Sequence, residues 1–145
     1  MNRILIILVL AVIVLCWNFI LTGEKVGLTD QARVLQGLSS ALAYKTAVTN
    51  YWNQHGSLPL AEDSLTADMQ VSVDLAQTIV NAIEVGKQGA GVISVHYTAR
   101  PGLESPIRID GKVIHLIPSI GPDRLEWQCK GTIDVTLLPK NCSPQ

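Results

Sequence analysis

Residues 125 to 142 read LEWQCKGTIDVTLLPKNC. The stretch holds two of the chain's three cysteines, Cys129 and Cys142, around an alternating apolar segment, with Trp127 two residues before the first and Pro139 three before the second. Its leading part alternates cleanly. Leu125, Trp127 and Cys129 fall on one side, and Arg124, Glu126, Gln128 and Lys130 on the other, the period of two of a half-buried strand. Whether the two thiols pair depends on compartment, because disulfides persist outside the cytoplasm and are rare within it.

The other end of the chain bears on the compartment. Ile4 to Leu21 reads ILIILVLAVIVLCWNFIL, with Asn18 its one strongly polar member. As a helix this run spans about 27 Å, close to the roughly 30 Å hydrocarbon core of a bilayer. A cleaved secretory signal has a shorter apolar core and a small-residue cleavage site, which CWNFILTGEK does not offer. A lipoprotein signal places a small residue before its cysteine, whereas Cys16 follows Leu15. Residues 1–22 are therefore expected to form a retained transmembrane signal anchor. Arg3 and the amino terminus are the charges that precede it, which favours a cytoplasmic N-terminus and sends residues 23–145 to the periplasm or the cell exterior. There Cys129 and Cys142 are expected to pair, closing a loop of about 14 residues worth about 3 kcal/mol in the chain-entropy model. Cys16 stays an apolar side chain in lipid.

In the exported part, ARVLQGLSSALAYKTAVTNYWNQHGSLP repeats apolar residues at three- and four-residue steps: Val34, Leu38, Ala41, Val48 and Trp52, with Leu35 and Leu42 beside them. This is the pattern of an amphipathic helix over about 30–55. Thr29 or Asp30 is placed to cap it, and Gly56 with Pro59 to stop it. A polar connection follows over about 56–77, with room for one short helix. TIVNAIEV, GVISVHYT, KVIHLIPS and RLEWQCK then read as β-strands between turn residues, GKQGAG being the first hairpin turn. The expected fold class is α+β: a long N-terminal helix, half membrane and half amphipathic, packed on a four-stranded antiparallel sheet, with a C-terminal disulfide loop.

Little in the chain points to chemistry. His55, His96 and His115 are scattered, GKQGAG lacks the Ser/Thr of a phosphate loop, and no G-x-S-x-G occurs. No catalytic residue, metal ligand, cofactor or small-molecule substrate is expected. Lys45 shares the stripe of Ala41 and Val48, where its stem would pack on the sheet rim. From Gly23 onward the chain has 10 Lys/Arg against 12 Asp/Glu. Within the disulfide loop Lys130 and Lys140 face only Asp134, with Arg124 near. Phosphate binding ordinarily takes a larger cluster of cations, so the balance argues against DNA as the main partner. Arg124, Lys130 and Lys140 stand as the candidate ligand-contacting residues.

With these residues in place the chain resembles the type IV pilins from about Asp30 to Cys142. The resemblance rests on the A-R start, K-T-A-V core and Y-x(4)-G-x-x-P exit of the helix, then on VIHLIPS, LEWQC and LPKNC in that order. It implies a helix half buried in membrane or filament core, its other half packed on the sheet through Leu38, Leu42, Val48, Trp52 and Trp127. It also implies that the Cys129–Cys142 bridge pins the last segment to the sheet edge above Trp127. The function implied is structural or assembly work in a type IV pilus or a related secretion pseudopilus, with adhesion as a further role. The partners implied are other pilins or pilus assembly proteins, and the inner membrane. The start departs from the family pattern: ILIILVL at 4–10 carries neither the glutamate of the family's helix nor a charged leader ending in glycine. The second reading is a membrane-tethered binding module that uses the disulfide loop for a surface ligand or DNA.

Overall fold

The computed structural model describes residues 30–69, 74–75, 78–98 and 108–145. The expected transmembrane anchor at 1–22 lies outside the described residues, as does Thr29. Among the described residues no helix is long and apolar enough to cross a membrane.

Helix α1 covers residues 30–55, with Asp30 already helical and buried. Gly56 ends it. At φ +68° this residue adopts the left-handed conformation that side chains resist, and its N–H donates to the Trp52 carbonyl at 2.8 Å. A second helix, α2 (Glu62–Met69), opens with two carboxylates at its electropositive end. Five strands follow: β1 (Val80–Val85), β2 (Ile93–Tyr97), β3 (Val113–Ile120), β4 (Leu125–Gly131) and β5 (Cys142–Pro144). They lie in one sheet in the order β1-β2-β3-β4-β5.

The sheet corrects the expectation of four antiparallel strands. β1 to β4 form an antiparallel meander, but β5 adds a fifth strand parallel to β4. The cause is the cysteine pair. Cys142 stands directly opposite Cys129, and the chain between them loops back so that it re-enters the sheet in the direction β4 runs. One core row crosses all five strands, Val85–Ile93–Leu116–Cys129–Cys142, so the bridge closes the apolar face at its far edge.

That face is covered by α1. Val34, Ala41, Tyr44, Ala47 and Val48 are buried in the core with Ile83, Ile93, Val95, Tyr97 and Ile114, and Leu38 and Trp52 pack half-buried against it. Leu42 does not join them: it is 57% exposed, and Leu35 is 49% exposed. Each helical residue turns about 100° from the last, so Leu42, one step past buried Ala41, is carried off the sheet. Lys45 lies on the rim with its Nζ 5.3 Å from the centre of the half-buried Trp127 ring, a cation–π contact.

Helix and sheet approach closely at Gly37. Tyr97 lies against the backbone there and donates its hydroxyl to the Val34 carbonyl at 2.9 Å. Burial holds that phenol far above its ordinary pKa, so it remains a donor throughout the working range. A Cβ on residue 37 would lie 2.6–2.8 Å from the Tyr97 ring and hydroxyl. Gly37→Ala gains about 1 kcal/mol of helix propensity, while overpacking a rigid buried site costs about 1–3 kcal/mol. The second term wins here because the ring is locked by its hydrogen bond. Urea denaturation should show Gly37→Ala less stable than the parent by about 1–2 kcal/mol; equal or greater stability would show that the ring yields freely.

Candidate functional site

Exposed chemistry concentrates at the two ends of the head. One end is the loop between Gly131 and Cys142. Its apolar residues do not form the alternating strand that the sequence suggests; they form a series of turns built around Asp134. The Asp134 carboxylate accepts from the Thr136 N–H at 2.9 Å and the Thr136 hydroxyl at 2.7 Å. Its carbonyl accepts from Leu137 N at 2.8 Å and Leu138 N at 3.1 Å. The turns bury Ile133, Leu137 and Leu138 in the core and leave Val135 65% exposed. Pinning is therefore threefold: the Cys129–Cys142 bridge, three apolar anchors, and an ion pair.

The ion pair joins two turns distant in sequence. Arg108, in the turn before β3, donates to Asp134 Oδ2 at 2.9 Å and to Thr136 Oγ1 at 3.1 Å. The Thr136 hydroxyl and N–H, then the Arg108 guanidinium, hold the Asp134 carboxyl well below the usual carboxylate range. On the other side of the loop is a small cleft of about 330 Å³ lined by Trp127, Gln128, Lys140, Asn141 and Ser143 among others.

The three candidate ligand-contacting cations are all exposed, but they do not share one patch. Arg124 sits in the turn before β4, with its carbonyl held by Gly121 N at 2.9 Å. Lys130 stands six residues further along, about 20 Å away at the rise of a strand, on the face opposite Trp127 and Cys129. Lys140 lies on the rim of the cleft. Of the expected helix–sheet contacts, Val48 is fully buried, Leu38, Trp52 and Trp127 are half-buried, and Leu42 faces out.

The outer face of the sheet carries the remaining polar side chains. Glu84, Ser94, His115, Lys130 and Ser143 stand in register across the five strands. Ser94 Oγ and His115 Nδ1 are 2.9 Å apart, and Glu84 bridges Lys87 at 2.6 Å and His96 at 3.2 Å. Burial, then the nearby His96, lowers the His115 pKa. Ser94 is 1% exposed, so its hydroxyl is shut off from any substrate in solution. Among the described residues no three His, Cys, Asp or Glu side chains gather as a metal site.

At the opposite end of the head, α1 exits into a shallow open groove of about 550 Å³. Tyr51, Leu58, Leu60, Ala90 and Ile120 line it. Leu60 is 77% exposed and Ile120 61%. The sequence carries no signal for this surface: Leu60 and Ile120 look like any other apolar residues until the fold leaves them outside. The Asp134–Thr136 turn did have a signal, since an aspartate two residues before a threonine is a common side-chain-to-backbone turn.

A family model described as Pilin (bacterial filament) matches residues 31–143. No curated protein matches the chain.

Two outcomes are expected of the loop. Because the folded Asp134 carboxyl titrates below its unfolded value, its contribution is present above about pH 4 and is lost as pH falls through the folded value. A carboxyl-carbon NMR titration should find Asp134 titrating below the ordinary carboxylate value of about 4, and Asp134→Ala, which removes the acceptor, should strip protection from the Thr136 amide; a midpoint at the ordinary value would contradict the geometry. Replacing both Cys129 and Cys142 by Ser should lower stability by about 3 kcal/mol and release β5, read as lost amide protection at Ser143 and Gln145. Retention of that protection would mean that the apolar anchors alone hold the edge.

Proposed function

We propose, since this chain belongs to the pilin family of bacterial filaments, that it is a subunit or close accessory of a type IV pilus or related pseudopilus. Family membership makes it a pilin-like structural protein of pili. The finer reading is that the apolar run at 4–21 anchors the chain in the inner membrane before assembly and packs against other pilin helices afterwards. The head, residues 23–145, then faces the periplasm or the filament surface. Disulfide pairing accords with such a compartment.

The observation that carries this reading is the pair of faces on α1. One face, Val34, Ala41 and Val48, is spent on the sheet, while Leu35 and Leu42 stay exposed on a second stripe of the same helix. Two exposed leucines two turns apart, on a side of the helix that its own domain leaves open, offer contacts to other helices. That stripe begins downstream of the apolar 4–21 run, so both lie on the segment by which subunits would pack. Adhesion through the disulfide loop is a further proposed role, with the loop end exposed on the head. A DNA-contacting role finds no support in the separation of Arg124 from Lys130.

Shearing cells that make this protein, and weighing the intact chain in the filament and membrane fractions, tests the reading. The expected result is recovery of the chain in sheared filaments. Confinement of the chain to the membrane would make it an anchored accessory, and its presence in neither fraction would overturn the proposal.

A further inference from the structure

A strand at the edge of a sheet presents unpaired N–H and C=O groups unless something covers them. This sheet has three stretches of edge: the outer side of β1, the outer side of β5, and the part of β4 that β5 does not reach. In β1, Gly86 N donates to the Val92 carbonyl, so Glu84 and Ala82, at the same phase, bond β2, while Ile83 and Val85 turn outward. Both outward residues are buried, so that edge is covered. In β5, Gln145 N donates to the Gly131 carbonyl, so Ser143 and Gln145 turn towards β4 and Pro144 turns outward. Proline has no N–H to offer, which blunts the edge against a further strand.

The third stretch is different. β5 pairs only with Cys129, Lys130 and Gly131, the last part of β4. Gly121 N donates to the Arg124 carbonyl, which sets Glu126 and Gln128 to bond β3 and turns Leu125 and Trp127 the other way. The N–H and C=O groups of Leu125 and Trp127 therefore point past the end of β5, and they take no partner among the described residues. The cleft of about 330 Å³ opens at this break, with Trp127 and Gln128 of β4 on one side and Lys140, Asn141 and Ser143 on the other. Two cations attend the Trp127 ring: Lys45 with its Nζ 5.3 Å from the ring centre, and Lys140 across the cleft. The nearest carboxylate in β4, Glu126, projects from the opposite face of the strand.

We propose that the open edge of β4 at Leu125 and Trp127 receives an extended, acidic peptide segment of a partner protein as an added strand, in line with β5. The chemistry of the edge selects the occupant. Outward groups two residues apart repeat about every 6.8 Å, the repeat of another extended main chain, and strand addition takes its affinity from such main-chain bonds and its specificity from side-chain pockets beside them. A residue directly opposite Trp127 carries its side chain to the same side of the sheet. An aspartate or glutamate there enters the cleft between Lys45 and Lys140. The edge needs little ordering before it binds, because the β3 ladder on one side and the Cys129–Cys142 bridge at its end already hold it. The site belongs to the head alone and is the same in a filament subunit and in an anchored accessory.

The test uses the full-length protein, isotopically labelled and held in mild detergent, with a blocked ten-residue peptide that alternates threonine and glutamate. Amide NMR spectra are followed as the peptide is added. The expected result is a set of shifts centred on the Leu125 and Trp127 amides and the Trp127 indole, with both amide protons moving downfield as they gain a hydrogen bond. The same peptide N-methylated along its length lacks the donors of a strand and should leave these signals unmoved. Lys140 is exposed, so Lys140→Glu leaves the core intact; it should weaken binding about fivefold. Absence of the shifts would overturn the proposal and leave Lys140 as a guard against strand addition. Equal binding of the N-methylated peptide would overturn it too, since side chains alone would then make the contact. Unchanged affinity in Lys140→Glu would overturn the choice of an acidic partner, and shifts centred on Leu60 and Ile120, or on Leu35 and Leu42, would move the peptide to another surface and overturn the site.

Discussion

How closely α1 can lie on the sheet governs the shape of the head. At Gly37 no side chain intervenes, the Tyr97 ring fills the space, and its hydroxyl reaches the Val34 carbonyl. A buried hydroxyl must find a partner or lose the free energy of its desolvation, so this contact fixes the height of the helix and its rotation together. Once the rotation is set, Val34, Ala41 and Val48 must face the sheet, and Leu35 and Leu42 must face away. Which surface of the helix is left for other molecules is therefore a consequence of an intramolecular contact.

The far edge of the sheet obeys a second constraint. Cys129 belongs to the core row, and its bond to Cys142 obliges the chain to return beside β4 as a parallel strand. The intervening residues have few choices left. Ile133, Leu137 and Leu138 are buried, Asp134 organises the turn, and Val135 is left exposed with Asp134 and Thr136 at its outer side. The bridge thus does more than close a loop: it decides which residues the loop end shows to solvent.

Much of this was legible in the chain. The first four strands fall where short β-rich runs stand between turn signals, and β4 also shows the period of two of a strand with one buried face. The helix and its Gly56 stop were legible for similar reasons. The fifth strand was not, since CSP carries no pattern of its own and becomes a strand only because a distant cysteine holds it. Leu42 misled because periodicity gives the width of an apolar stripe but not its centre; Gly37, which sets the centre, looks in the sequence like a weak helix residue. The cations of the candidate site were legible as charges and not as a group, because Arg124 and Lys130 lie at the two ends of one strand. The groove at Leu60 and Ile120 joins residues far apart in the chain, and no local pattern marks it.

Native-state hydrogen exchange on the intact protein tests the helix–sheet contact most directly. If Tyr97 and Gly37 lock helix to sheet, the amides of α1 from Val34 to Val48 and those of β2 should exchange together, with the free energy of global unfolding. Exchange of the α1 amides at a distinctly lower free energy than β2 would show that the helix opens by itself, and would contradict the claim that this contact governs the head.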